Sequence, residues 1–122
     1  MRGRPKLPVR ERDTLKCLVD YLEAAHILYL RIRQARLVTR GGRTFPGHIR
    51  ESQRGAPDLL VFLPNQFVWA METKIPKGTL SDEQRRWRDR FEKTGGKYFI
   101  VTEMNLDVIL GWLRNSRSVR VR

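Results

Sequence analysis

Three residues within a 20-residue stretch have side chains that could do chemistry together: Asp58, Glu72 and Lys74. Two apolar runs, Leu59-Leu60-Val61-Phe62-Leu63 and Phe67-Val68-Trp69-Ala70-Met71, flank Pro64-Asn65-Gln66. That pattern predicts a β-hairpin. With residues 64–66 as the loop, Leu63 faces Phe67, and counting outward sets Asp58 opposite Glu72. Cross-strand partners have Cβ atoms about 5 Å apart. Two carboxylates that close repel each other unless something positive lies between them. Strand alternation puts Lys74 on the same face as Glu72. The stretch therefore predicts two acids and an amine at one end of a sheet, a geometry for a metal ion with a charged partner for a water or a phosphate. Taken singly, each residue is more often structural: Asp58 a turn residue after Pro57, Glu72 and Lys74 a solvated strand edge. Their shared face decides otherwise. Trp69, Met71 and Thr73 fall on the opposite side, so Glu72 and Lys74 end a face begun by Val68 and Ala70. Charges at the end of an apolar face need a reason.

The elements that hold this hairpin are legible on either side of it. Leu15, Leu18, Val19 and Leu22 follow helical spacing and predict a helix over residues 10–26. Glu11 lies at the head of that apolar stripe and Asp13 on the far side. An acid in a first turn complements the helix dipole, and it could also point into the site. Residues 27–33 are alternating and β-branched and predict a strand; residues 35–39 either extend it or begin another. Gly41-Gly42 is a turn signal. Residues 40–54, with Arg40, Arg43, Arg50 and Arg54, predict a long loop or a poorly formed hairpin. His48 in that loop and His26 at the helix end receive no role. Beyond the hairpin, Pro76 and Gly78 break the strand. Ser81-Asp82-Glu83-Gln84 has the capping-box pattern, opening a helix that runs to about Lys93 and ends at Thr94-Gly95-Gly96. Leu80, Gln84, Trp87 and Phe91 share one face of it, and Arg85, Arg86, Arg88 and Arg90 the outer one. Gln84 has two possible employments: local capping, or a hydrogen bond to a ligand beside the hairpin. Residues 98–102 predict a strand, and Asn105 caps a last helix striped by Leu106, Ile109, Leu110 and Leu113.

The composition bounds the rest. A chain of 122 residues reads as one domain, with a basic arm at residues 1–9, a folded body at 10–115 and a basic tail at 116–122. Its 25 basic residues against 13 acidic give +12, a balance that suits a polyanion. No apolar run reaches the roughly 20 residues of a membrane span, and the basic N-terminus lacks the apolar core of a secretory signal. Cys17 stands alone, which leaves no internal disulfide and no cysteine zinc cluster. A reducing, intracellular setting fits.

Gly55-x-Pro57-Asp58, Glu72-x-Lys74, Leu80-Ser81-x-x-Gln84 and Gly95-Gly96 before an apolar strand, in this order and at these gaps, resemble the VRR-NUC family of the PD-(D/E)xK nuclease superfamily. The resemblance spans the chain from the first helix to the last. It implies an α/β, restriction-endonuclease-like fold, with an αβββαβ core, a mixed sheet and a C-terminal helix. The activity it implies is metal-dependent hydrolysis of DNA phosphodiesters in the cytoplasm of a bacterial or phage-infected cell. Short stand-alone members, often from phage, look like homodimeric resolvases of four-way (Holliday) junctions. Asp58 matches the motif aspartate, Glu72 and Lys74 the Glu-x-Lys pair, and Gln84 the helix glutamine. An acid from the first helix usually completes such a site, and Glu11 and Asp13 compete for that role. Thr73 stands where a hydrophobic residue is more usual.

On this reading Asp58, Glu72 and the backbone carbonyl of Thr73 bind Mg²⁺ or Mn²⁺. Lys74 serves the attacking water and offsets developing negative charge. Glu11 holds a second ion or a water, and Gln84 orients Lys74 or a phosphate. Arg40, Arg43, Arg50, Arg54, Lys77 and Arg85 track the DNA backbone. A branch-specific enzyme needs two sites at fixed spacing, hence a symmetric dimer, for which residues 27–38 and the last helix offer surfaces. The rival reading is a basic nucleic-acid-binding module without catalysis, or a flap or nicking nuclease of the same fold. A pure binding module has no need of Asp58 and Glu72, because acids beside a phosphate track weaken binding.

Overall fold

The computed structural model of the chain describes residues 11–32, 36–38, 44–46, 50 and 53–117. Among them, helix α1 (Glu11–Ala24) is followed by strands β1 (Tyr29–Arg31), β2 (Arg36–Val38), β3 (Thr44–Pro46), β4 (Leu59–Leu63) and β5 (Phe67–Thr73). Helix α2 (Asp82–Lys93), strand β6 (Lys97–Val101) and helix α3 (Leu106–Arg117) complete the order. The main sheet runs β1-β4-β5-β6, antiparallel at its first two pairings and parallel at the last. Helix, three strands, helix and strand form the αβββαβ core expected, and β2–β3 is a two-stranded antiparallel insert between β1 and β4. Of the alternatives expected there, the structure takes the short hairpin over the loop, and β2 is the separate strand offered for residues 35–39. The Gly41-Gly42 signal lies between its strands, outside the described residues, as do the basic arm, Arg40, Arg43, His48 and residues 118–122.

The two faces of the sheet have different partners. Leu59, Val61 and Leu63 of β4, Trp69 and Met71 of β5 and Val101 of β6 form one core cluster with Leu18 and Leu22 of α1 and Ile109 and Leu113 of α3. Alternation places Leu60, Phe62, Val68, Ala70, Glu72, Tyr98 and Ile100 on the other face. Helix α2 lies over part of this second face. Its Trp87 ring stacks on Phe91 at 5.1 Å and tilts against Tyr98 at 6.3 Å. Leu28, Leu30 and Phe62, on the side that α2 does not reach, are exposed.

Local signals set the boundaries. Helix α1 ends in a Schellman motif: Ile27 N–H donates to Leu22 O at 3.0 Å and His26 N–H to Glu23 O at 3.2 Å, with His26 at φ 56° where glycine is usual. The β4–β5 loop is a 3-10 turn, Pro64–Gln66, closed by Gln66 at φ 65°. Ser81 caps α2 in the full capping box. Gly96 admits the ring of Phe91, which a Cβ would meet at 2.3 Å. Asn105 departs from expectation. It precedes α3, but its side chain accepts from Thr102 N–H and donates to Ile100 O, both at 2.8 Å. It braces the strand-to-helix turn instead of capping the helix.

Candidate active site

The register of the hairpin is the one the turn position implies: Leu63 pairs with Phe67 and Leu59 with Met71. One step further out, Asp58 stands across from Glu72. Glu72 is 6 % exposed, on the last turn of pleat before β5 ends at Thr73. Lys74 follows, with Nζ 3.9 Å from Glu72 Oε2. That separation is an ion pair at its outer limit, not a hydrogen bond, so the amine remains able to reach a ligand. Its backbone is held by Lys74 N–H donating to Val101 O at 2.9 Å.

Gln84 makes the capping box foreseen for it, and its other end reaches the hairpin. Its Oε1 accepts from Ser81 N–H at 2.9 Å, while its Nε2 donates to Glu72 Oε2 at 3.0 Å. Within the protein, the amide nitrogen goes to the Glu72 carboxylate rather than to Lys74. The cap fixes which way the amide faces, since the opposite orientation would set donor against donor at Ser81 and acceptor against acceptor at Glu72.

Asp58 is held just as firmly. Its Oδ2 accepts from Thr73 N–H at 2.8 Å and from Thr73 Oγ1 at 2.7 Å. Its carbonyl accepts from Ile32 N–H at 2.9 Å, which ties the approach to β4 into the β1 edge. Gly55, at φ 81°, brings this approach against the first turn of α2. A Cβ there would lie 2.3 Å from Glu83 O and 2.6 Å from Gln84 N. The glycine of the motif thus docks the Asp58 loop directly beside the residue that holds Glu72.

The electrostatics record an unmet demand. Burial first, then the charge of Asp58, pushes the Glu72 carboxyl from its ordinary 4.5 up to about 7. Lys74 opposes this rise, Glu11 adds to it, and a backbone hydrogen bond from Asp58 opposes it weakly. Of the two first-helix acids, Glu11 is thus the one whose charge reaches Glu72; it is exposed, and Asp13 is half-buried. Tyr98 is a residue that sequence reasoning missed. Among the described residues its buried hydroxyl has no hydrogen-bond partner, and burial, with the charges of Glu72 and Asp58, drives its pKa upward. Strand alternation could have put Tyr98 on the face of Ile100, but the pairing of Ala70 with Tyr98 is set by a parallel crossover that sequence does not reveal.

The donor set fits a hard divalent cation. The carboxylates of Asp58 and Glu72 are hard oxygen donors, and a cation between them would offset the repulsion that raises Glu72. Among the described residues, no group of three or more His, Cys, Asp or Glu side chains is gathered to hold a metal. Glu11 therefore does not join Asp58 and Glu72 as a third carboxylate of one cluster. Mg²⁺ keeps several waters and is commonly bound through one or two carboxylates, the number that Asp58 and Glu72 offer.

Of the residues expected to track DNA, Arg40 and Arg43 lie outside the described residues. Arg50, Arg54 and Lys77 are exposed. Arg85 is turned back on its own helix, donating to Leu80 O at 2.8 Å and pairing with Asp82. Arg88 is engaged with Asp89 and Glu92. No helix among the described residues is long and apolar enough to cross a membrane.

A family model described as the VRR-NUC domain matches residues 19–104. A solved structure described as a VRR_NUC domain is similar at 28% sequence identity and a TM-score of 0.57, covering 85% of this chain and 97% of that one. No curated protein matches the chain.

Proposed function

The chain belongs to the VRR-NUC domain family, a family of nucleases of restriction-endonuclease-like fold, and on that premise we propose that it is a divalent-metal-dependent endodeoxyribonuclease cutting branched DNA, four-way junctions foremost, as a homodimer. The observation that carries the reading is the buried Glu72 carboxylate. It faces Asp58 across a hairpin, accepts from Gln84 at 3.0 Å and has the Lys74 amine at 3.9 Å. A buried, repelled acid with so little positive charge beside it destabilises the fold, and it makes sense as a ligand in waiting.

In this reading Asp58, Glu72 and the Thr73 carbonyl hold Mg²⁺ or Mn²⁺. Such an ion, when bound, polarises a phosphodiester and acidifies a water. The protein's own groups do the rest. Gln84 holds one Glu72 oxygen and leaves the other for a ligand. Lys74 orients the attacking water and offsets charge on the phosphate. The Glu11 carboxylate, outside the pair, receives a second water or ion. Arg50, Arg54 and Lys77, with Arg40 and Arg43 beyond the described residues, supply backbone affinity without sequence information. Arg85 joins them only by leaving Asp82. Pairing of two copies through exposed apolar side chains, Leu28, Leu30 and Phe62 on the open sheet face or Val108 and Trp112 on α3, would set two sites at a fixed distance.

The test is cleavage of a labelled four-way junction, a flap and a linear duplex in Mg²⁺, Mn²⁺ or EDTA. Paired symmetric nicks at the junction, lost in EDTA and in Glu72→Ala, are expected. Tight binding without cleavage in any metal would replace the nuclease with a binding module. Cutting confined to flaps would leave a nuclease but remove the resolvase assignment.

A further inference from the structure

Thr73 is 2 % exposed and lies on the core side of β5, with Trp69 and Met71. A hydrophobic side chain would serve that position for packing alone. A buried hydroxyl there requires a partner, because an unpaired one is costly. Its partner is Asp58 Oδ2, at 2.7 Å, and the same oxygen takes the Thr73 backbone N–H at 2.8 Å. The reason is topological. Lys74 N–H points across to β6, so the N–H of Thr73, one residue earlier, points toward β4. The ladder there ends at Leu59–Met71, and the Asp58 side chain takes the place of the missing rung.

Two donors on one oxygen leave the other with different work. Among the described residues, Asp58 Oδ1 accepts no hydrogen bond. A backbone N–H alone restrains one oxygen but leaves the carboxylate plane to rock about it. A second donor from the side chain, arriving from a different direction, fixes the plane. We propose that the Thr73 hydroxyl is a positioning group for Asp58, locking Oδ2 into the protein so that Oδ1 alone is offered to a divalent cation. The inference rests on the metal-dependent nuclease reading and deepens it: Asp58 is a one-oxygen ligand, and the middle residue of Glu-x-Lys contributes its side chain as well as its main chain. The hydroxyl touches no reacting atom and acts only through Asp58.

The experiment compares wild type with Thr73→Val, which keeps shape and branching, and Thr73→Ser, which keeps the hydroxyl. Mn²⁺ affinity is measured without DNA, from the electron paramagnetic resonance signal of the free ion. Outer partners of metal ligands are worth about 10–100-fold in affinity. Thr73→Val is expected to weaken Mn²⁺ binding about tenfold, and Thr73→Ser to stay within about twofold of wild type on the same scale. Junction cleavage by Thr73→Val should need more metal for half-maximal rate and recover most of its kcat at saturation. If Thr73→Val does not fold, Thr73→Ala removes the same hydroxyl without an added methyl. Wild-type affinity in the valine variant, or equal weakening in valine and serine variants, overturns the inference while cleavage by wild type keeps the nuclease reading intact. Wild-type protein that neither binds Mn²⁺ nor cuts DNA overturns both.

Discussion

Replacing Glu72 by glutamine should make the metal-free protein more stable in alkaline solution while removing cleavage. The folded state moves the Glu72 carboxyl from 4.5 to about 7 through burial and the charge of Asp58. A pKa raised on folding means that the charged form is disfavoured in the native state. The Glu72 contribution to stability is therefore greatest below about pH 4.5, falls as the pH rises to about 7, and stays low above it. At about 1.4 kcal/mol per pH unit, the full loss is about 3 kcal/mol. Glutamine keeps the shape and can still accept from Gln84 Nε2, but carries no charge. Thermal unfolding followed by circular dichroism in EDTA at a series of pH values measures the difference. Glu72→Gln should match wild type near pH 4.5 and exceed it by about 3 kcal/mol at pH 8, on the order of 10 °C in Tm for a domain of this size. Mn²⁺ at pH 8 should close the gap by stabilising wild type alone. An advantage that does not change with pH, or a variant less stable than wild type at pH 8, would show that Glu72 is not held in a penalised charged state.

Gln84→Glu separates the two jobs of that side chain: a carboxylate can still accept from Ser81 N–H, but cannot donate to Glu72. Helix content and melting at pH 5 should be close to wild type, and the pH of half-maximal cleavage should rise by more than about one unit, because the repulsion of the new carboxylate adds to the loss of one hydrogen bond to a charged group. Gly55→Ala should destabilise by about 2 kcal/mol or more in urea unfolding, because the added Cβ meets backbone at Glu83 and the φ is left-handed. His26→Gly should stabilise by about 0.5–1 kcal/mol in the same assay, by relieving the left-handed position of the Schellman motif, with cleavage unchanged.

What could be read in advance divides along physical lines. The β4–β5 hairpin was legible because its turn, register and alternation are all local: Pro64-Asn65-Gln66 sets the count and period 2 sets the faces. The α2 boundaries were legible because the Ser81–Gln84 box is chemistry between near neighbours. The β2–β3 insert was obscured because arginines and glycines dilute the apolar signal of short strands. Asn105 was misjudged because a cap and a turn brace use the same residue type, and only the position of β6 decides which carbonyl is in reach. Tyr98 and the Thr73 hydroxyl were hidden for another reason. Each gains its meaning from a residue far away in the chain, through a ladder whose end or register no local pattern declares.

The dual use of Gln84 shows how the fold and the site constrain one another. A glutamine at the third position of a helix spends its carbonyl on the cap, and geometry then commits its amide nitrogen to whatever lies beneath the helix start. Gly55 and the hairpin register put Glu72 there. The nitrogen gives the carboxylate one donor but no charge, so it orients Glu72 without neutralising it. Lys74, at 3.9 Å, is too far to neutralise it by contact, and Asp58 is pinned by two Thr73 donors, neither of which carries a charge. Each local requirement is met, yet the pair of acids retains its repulsion. A tighter ion pair would have made the fold more stable and left no reason for a cation to enter. Protonation of Glu72 relieves that repulsion in acid; above about pH 7 a cation between the two acids would do so.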